Sequence, residues 1–152
     1  MDQPQLVVIG TDFRIEVDIA APPETVWAAI SDVERWHEWT PSVRGIRLFG
    51  KRPLDVGSRA LVRQPRFLPA LWKVTAIEPG RSFTWETKSP GLHVHAIHGV
   101  EPIPGGAHAT LKLRYGGALG RWLAEWTRET TSQYLELEAA GLKRRSEKPP
   151  MA

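Results

Sequence analysis

The side chains able to move a proton are few. The chain of 152 residues holds five histidines, two tyrosines and no cysteine, so a thiolate nucleophile, a thiolate metal site and a disulfide framework are all excluded. Between Leu92 and Val100 the residues Leu92, Val94, Ala96 and Val100 share one parity, and being small or apolar they read as the inward side of a strand. His98 has the same parity. An imidazole aimed into an apolar interior could give or take a proton near neutral pH, as removal of a proton beside a carbonyl requires. The competing reading is a structural histidine, hydrogen-bonded to backbone or to a pocket water. His93 and His95 lie on the opposite face, two residues apart. That spacing can hold a metal, but a catalytic zinc site needs a third protein ligand; the sequence identifies none, so no metal is assigned and the two read as an exposed pair. His37, among Trp36, Glu38 and Trp39, reads as a cap near the mouth of an interior space, and His108, after a Gly-Gly turn, as solvent-facing.

These parities rest on an order of elements. Residues 12–19 alternate strictly between polar and apolar, with Phe13, Ile15, Val17 and Ile19 inward. Ala21-Pro22-Pro23-Glu24 stops that strand and opens a short helix, since proline is tolerated in a first helical turn. A second short helical piece over 33–39 ends before Pro41. Six strands then follow, at 43–49, 59–64, 71–78, 82–87, 92–101 and 108–115, separated by turns rich in glycine and proline. Residues 119–145 hold no proline and form one long helix, with Leu119, Leu123, Trp126, Thr130, Tyr134, Leu137 and Gly141 as its inward stripe. Gly141 either permits close packing or marks where that helix begins to end.

The fold class is therefore α+β: a seven-stranded curved antiparallel sheet, two short helices and one long C-terminal helix covering the apolar face. A strongly curved sheet gripping a single helix need not fill the space between them, which makes room for a cavity. Thr130, Gln133 and Tyr134 on or beside the inward stripe suit a cavity better than a dry core, where their polar groups would go unpaired. The candidate ligand-binding residues are Trp72, Phe83 and Trp85 on the central strands, with Val94, Ala96 and His98 beside them. Leu111 comes from the last strand, and Leu123, Trp126, Thr130 and Tyr134 from the helix. His98 and Tyr134 are the candidate catalytic pair. The whole chain reads as one domain, its core at about 12–145 and its ends, 1–11 and 146–152, flexible.

Ile19-Ala20-Ala21-Pro22-Pro23-Glu24-Thr25-Val26-Trp27, the run Ser31-Asp32-Val33-Glu34-Arg35-Trp36-His37-Glu38-Trp39, then Trp72-Lys73-Val74, Phe83-Thr84-Trp85 and Glu138-Ala139-Ala140-Gly141-Leu142-Lys143-Arg144 together resemble the START-like superfamily, also called SRPBCC or Bet v 1-like, and within it the polyketide cyclase/dehydrase branch. The resemblance covers about 13–145. It implies the helix-grip fold and a small hydrophobic ligand, polyketide-like, aromatic or lipid, in an internal cavity, with no cofactor. Fold does not carry activity, and the superfamily spans carriers, receptors and enzymes. The binding reading leads. The alternative is a cyclase, aromatase or dehydratase in which His98, with Tyr134 or Thr130, deprotonates or polarises a polyketone.

Charge adds a third reading. From Arg44 to Lys73 there are eight basic residues against Asp55 alone, whereas residues 1–42 hold eight acids against Arg14 and Arg35. Such polarity could dock an acidic carrier protein, although outward strand faces are charged in any soluble protein. Arg59 and Arg63 alternate with Ala60 and Val62 and read as outward. No groove-entering motif accompanies the basic residues, so nucleic acid is not an expected partner. No phosphate-cradling glycine loop, nucleophile elbow or H-E-x-x-H is present. The chain start lacks a secretory pattern and no segment is long enough to span a membrane, so the expected location is the cytoplasm. A homodimer is compatible with the sheet edges but not demanded by them.

Overall fold

The computed structural model describes residues 3–50 and 52–148. Eight antiparallel strands form one sheet in the order β1-β2-β8-β7-β6-β5-β4-β3. Strand β2 (Asp12–Ile19) buries Phe13, Ile15, Val17 and Ile19, as its alternation requires. Helix α1 (Pro23–Ser31) follows, then a 3-10 helix (Val33–Glu38). The meander comprises β3 (Gly45–Phe49), β4 (Arg59–Arg63), β5 (Ala70–Glu78), β6 (Ser82–Ser89), β7 (Leu92–Ile103) and β8 (Gly106–Gly116). It starts at the far edge and ends with β8 paired to β2 in the interior of the sheet. A register shift between Val74 and Ala76 interrupts the β5–β6 ladder, and such a bulge bends and twists a strand.

Two expectations for the chain ends are corrected. Residues 5–9 are not a flexible end but an eighth strand, β1 (Gln5–Ile9), paired with β2 from Gln5↔Glu16 to Ile9↔Asp12. Gly10 makes the reversal possible: with φ at +60° it supplies the left-handed residue that a two-residue hairpin turn needs. Residues 146 and 147 are also ordered. Ser146 is buried, and the Glu147 carboxylate accepts the Ala20 N–H at 2.8 Å and pairs with Lys143. Residues 1–2 and 149–152 lie outside the described residues.

The long C-terminal helix is two helices, α2 (Gly120–Trp126) and α3 (Arg128–Glu147), broken at Thr127. The Thr127 hydroxyl donates to the Leu123 carbonyl at 2.7 Å and reaches toward the Tyr115 hydroxyl at 3.3 Å. A threonine bonding back to the previous turn competes with the helix ladder and bends it. The inward stripe nevertheless keeps one helical phase through the break, lying about one residue beyond the expected stripe both before and after Thr127. The buried stripe runs through Ala124, Thr127, Thr131, Leu135, Ala139 and Leu142, while Leu119, Trp126 and Leu137 are exposed. Helix α3 packs on β2, α1 and β8. It therefore covers one side of the sheet's concave face and leaves a space over β4 to β8.

Candidate functional site

That space is a cavity of about 630 Å³. Strand parity builds its sheet wall: Val62 on β4, Trp72 on β5, Trp85 on β6, Val94, Ala96 and His98 on β7, and Leu111 with Leu113 on β8. Ala96 stands directly between Trp85 on one neighbouring strand and Leu113 on the other. Its methyl group, flanked by two large side chains, leaves a hollow in the wall. The helical side contributes Leu123, Trp126, Thr131, Tyr134, Leu135 and Glu138, and the loop 64–69 closes over with Arg66, Phe67 and Leu68. Leu68, Leu71 and Trp126 are exposed and mark the mouth, where Trp126 stacks on Trp122 at 5.4 Å.

His98 sits in an aromatic box. Its ring stacks on Phe83 at 4.4 Å, and Trp36 and Trp85 meet it edge-on at 5.2 and 5.8 Å. The enclosure pulls its pKa down to about 4, with the Phe83 backbone pulling weakly the other way. His98 is thus a neutral imidazole at neutral pH. No well-formed hydrogen bond from the described residues reaches its Nδ1. Buried polar atoms without a partner are rare, and one on a cavity wall is a ready contact for a guest.

Glu138, which sequence reasoning passed over as a site residue, faces the same cavity from α3. Withdrawal from bulk water pushes its carboxyl up to about 7, against the pull of the Ser42 hydroxyl, which lies 3.3 Å from Oε1. Ser42 is in turn held by Thr40, hydroxyl to hydroxyl at 2.8 Å, and both are fully buried in the turn after the 3-10 helix. The only signal for Glu138 was its place on the true inward stripe, three residues beyond Leu135 and four before Leu142. A stripe read one residue out of phase hid it.

The Tyr134 hydroxyl accepts the Arg66 N–H at 2.9 Å and its ring meets Phe67 edge-on at 5.6 Å. Tyr134 therefore pins the covering loop to α3 and keeps its own proton to donate elsewhere. Thr131 forms a hydroxyl chain with Tyr115 (2.8 Å) and Thr127. Of the residues expected from sequence, Trp72, Trp85, Val94, Ala96, His98, Leu111, Leu123, Trp126 and Tyr134 line the cavity. Thr130 and Phe83 do not. Thr130 loses its place to Thr131 because the inward stripe lies one residue beyond the expected one, and Phe83, fully buried, lies behind His98 against Trp27. His37 is exposed; its neighbour Trp36 is the residue that faces the cavity, its indole N–H anchored on the Ile30 carbonyl at 2.9 Å.

The outer face corrects another expectation. His93 and His95 are half-buried rather than an exposed pair, and Glu86, directly opposite His95 on β6, brings Oε2 to 2.8 Å from His93 Nε2 and 3.6 Å from His95 Nδ1. His108 is half-buried rather than simply exposed: Asp18 meets its Nδ1 at 2.6 Å, and Glu16 lies 3.3 Å from Nε2. Among the described residues no helix is long and apolar enough to cross a membrane.

A curved antiparallel sheet gripping a C-terminal helix is the helix-grip, Bet v 1-like architecture, and solved structures share it. Hypothetical protein jhp0584 from Helicobacter pylori superposes with a TM-score of 0.74 at 14% identity, covering 89% of this chain and 86% of its own. A protein from Arthrobacter aurescens gives 0.70 at 16%, covering 95% and 92%, and Ara h 8.0201 gives 0.62 at 15%, covering 86% and 97%. At such identities the likeness is one of fold alone. The chain belongs to the family described as polyketide cyclase / dehydrase and lipid transport, which matches residues 10–147. No curated protein matches the sequence at a significant level.

Proposed function

We propose that the chain binds a small, mainly apolar molecule, polyketide-like, aromatic or lipid, whose polar group meets His98, Glu138 or Tyr134. The observation that carries this reading is a cavity of about 630 Å³ with aromatic and aliphatic walls and a few inward polar groups. Pockets for small organic ligands have this size and this mixture. A neutral imidazole, a carboxyl that is about half protonated near neutral pH and a phenol suit a carbonyl or hydroxyl guest, which each of them can meet by hydrogen bonding. Denaturing mass spectrometry of the purified protein tests it: an apolar small molecule released in near-stoichiometric amount is expected. Failure to release one, together with no binding of any polyketone, aromatic or fatty-acid probe in titration, would count against the proposal.

One observation favours a second reading, an enzyme of cyclase or dehydratase type. Glu138, near 7, is matched to proton transfer at physiological pH, whereas His98, near 4, is a weak base and serves better as a hydrogen-bond partner. In an aldol closure the ionised Glu138 would take the proton from a carbon between two carbonyls. The enolate carbon would then bond to a third carbonyl, and the new alkoxide would recover the proton. Under this reading Glu138→Gln and His98→Ala lower turnover of a polyketone while leaving its affinity within a few-fold; under the carrier reading no turnover is seen in the wild type.

A further inference from the structure

On the convex side of the sheet, away from the cavity, three side chains from two strands converge. His93 and His95 of β7 project from one face because they are two residues apart, and Glu86 of β6 lies in register with His95. One ligand atom from each lies within 4.8 Å of the other two. Bonds of about 2.0–2.2 Å at tetrahedral angles place ligand atoms roughly 3.3–3.6 Å apart. The Glu86–His93 and Glu86–His95 separations, 2.8 and 3.6 Å, bracket that spacing, so small rotamer adjustments suffice. We propose that Glu86, His93 and His95 bind one divalent transition-metal ion, with zinc the best match, on the outer face of the sheet.

The surroundings support a site rather than a coincidence of surface groups. All three side chains are half-buried, so much of their ordering is already in place before an ion arrives. The two carboxylate oxygens divide their work: Oε2 turns to the imidazoles, and Oε1 takes the exposed Lys88 ammonium at 3.5 Å. Opposite His93 on β8 stands Gly116, which puts no side chain over the imidazole and leaves room for a water as fourth ligand. Arg114, opposite His95, is drawn toward Asp12 at 3.0 Å. The His108 cluster lacks this convergence, since its two carboxylates approach different ring nitrogens. Two histidines and one carboxylate with an open position suit zinc and its neighbours in the first transition row better than calcium or magnesium, which take mainly oxygen ligands. Bound metal would cross-link β6 to β7, whose other faces carry Trp85, Val94 and Ala96 of the cavity wall.

Calorimetric titration of the full chain with Zn²⁺ tests the site. One equivalent is expected to bind saturably and to raise the Tm. Loss of an orienting partner alone typically costs a metal site about 10–100-fold, so His93→Ala, His95→Ala and Glu86→Gln, each checked for a folded circular-dichroism spectrum, should each weaken binding at least about tenfold. His37→Ala, altering an exposed histidine elsewhere, should bind as the wild type does. Absence of saturable binding, or affinity undiminished in the His93→Ala and His95→Ala variants, overturns the proposal. These readouts need no cavity ligand, so they stand or fall apart from the proposed function.

Discussion

Two titratable residues face the same cavity with opposite displacements, and both displacements have burial as their main cause. Glu138 moves from 4.5 to about 7, so that between these values the unfolded carboxyl has released its proton and the folded one keeps it. Its contribution is most favourable below 4.5 and is lost as pH rises through 7. His98 moves from 6.5 to about 4, so that in this window the unfolded imidazole holds a proton and the folded one does not. Its contribution is complete above 6.5 and is lost as pH falls through 4. From 4.5 to 6.5 the two slopes, each about 1.4 kcal/mol per pH unit, oppose each other. Replacing Glu138 by glutamine removes one slope and keeps the Ser42 contact. Urea unfolding across this range should therefore show the variant gaining on the wild type by roughly 3 kcal/mol between pH 4.5 and 7. A difference that stays constant with pH would mean that the carboxyl is well hydrated. It would then be free to ionise at its ordinary value.

At the scale of elements, α3 approaches the end of the 3-10 helix closely enough for backbone to meet backbone. Gly141 permits it: a Cβ there would overlap the Trp39 carbonyl oxygen. Alanine improves helix propensity by about 1 kcal/mol, but overpacking costs about 1–3 kcal/mol, and overlap with backbone belongs at the upper end. Gly141→Ala is thus expected to destabilise by about 2 kcal/mol, lowering the Tm by roughly 4–8 °C. A higher Tm would show that the two helices separate freely. Of the two roles open to Gly141 in the sequence, close packing is the one the fold uses. Strand parity was legible because period two leaves little ambiguity; Val94, Ala96 and His98 face the cavity as their alternation requires. The phase of α3 was not, because its inner face carries Thr131, Tyr134 and Glu138, polar groups that erase the apolar rhythm. A cavity wall is the place where such a rhythm fails. Strand β1 escaped for a related reason: Leu6 and Val8 are only half-buried at a sheet edge, and four consecutive apolar residues hide the alternation. Glu86 joined His93 and His95 through cross-strand register, which no spacing along the chain encodes.

At the scale of the whole molecule, the question is whether the void between sheet and helix is used. An unfilled apolar space forgoes dispersion contacts, so filling it should not harm the fold, whereas it should harm binding. Ala96 is the place to ask, because its methyl group sits at the wall between Trp85 and Leu113. A phenyl ring at this position extends into open volume instead of into packed neighbours, and the overpacking penalty of a filled core does not apply. Ala96→Phe is therefore expected to unfold at or above the wild-type Tm. It should bind the fluorescent apolar probe anilinonaphthalene sulfonate at least about tenfold more weakly, since about 1.4 kcal/mol of lost contact corresponds to tenfold in affinity. Stability and binding moving apart in this way is the mark of a cavity kept empty for a guest. If the variant instead loses several degrees of Tm, the wall is already in contact with its opposite side. If it keeps its Tm and binds the probe undiminished, the probe sits elsewhere, and the exposed pair Trp122 and Trp126 is the surface to examine next.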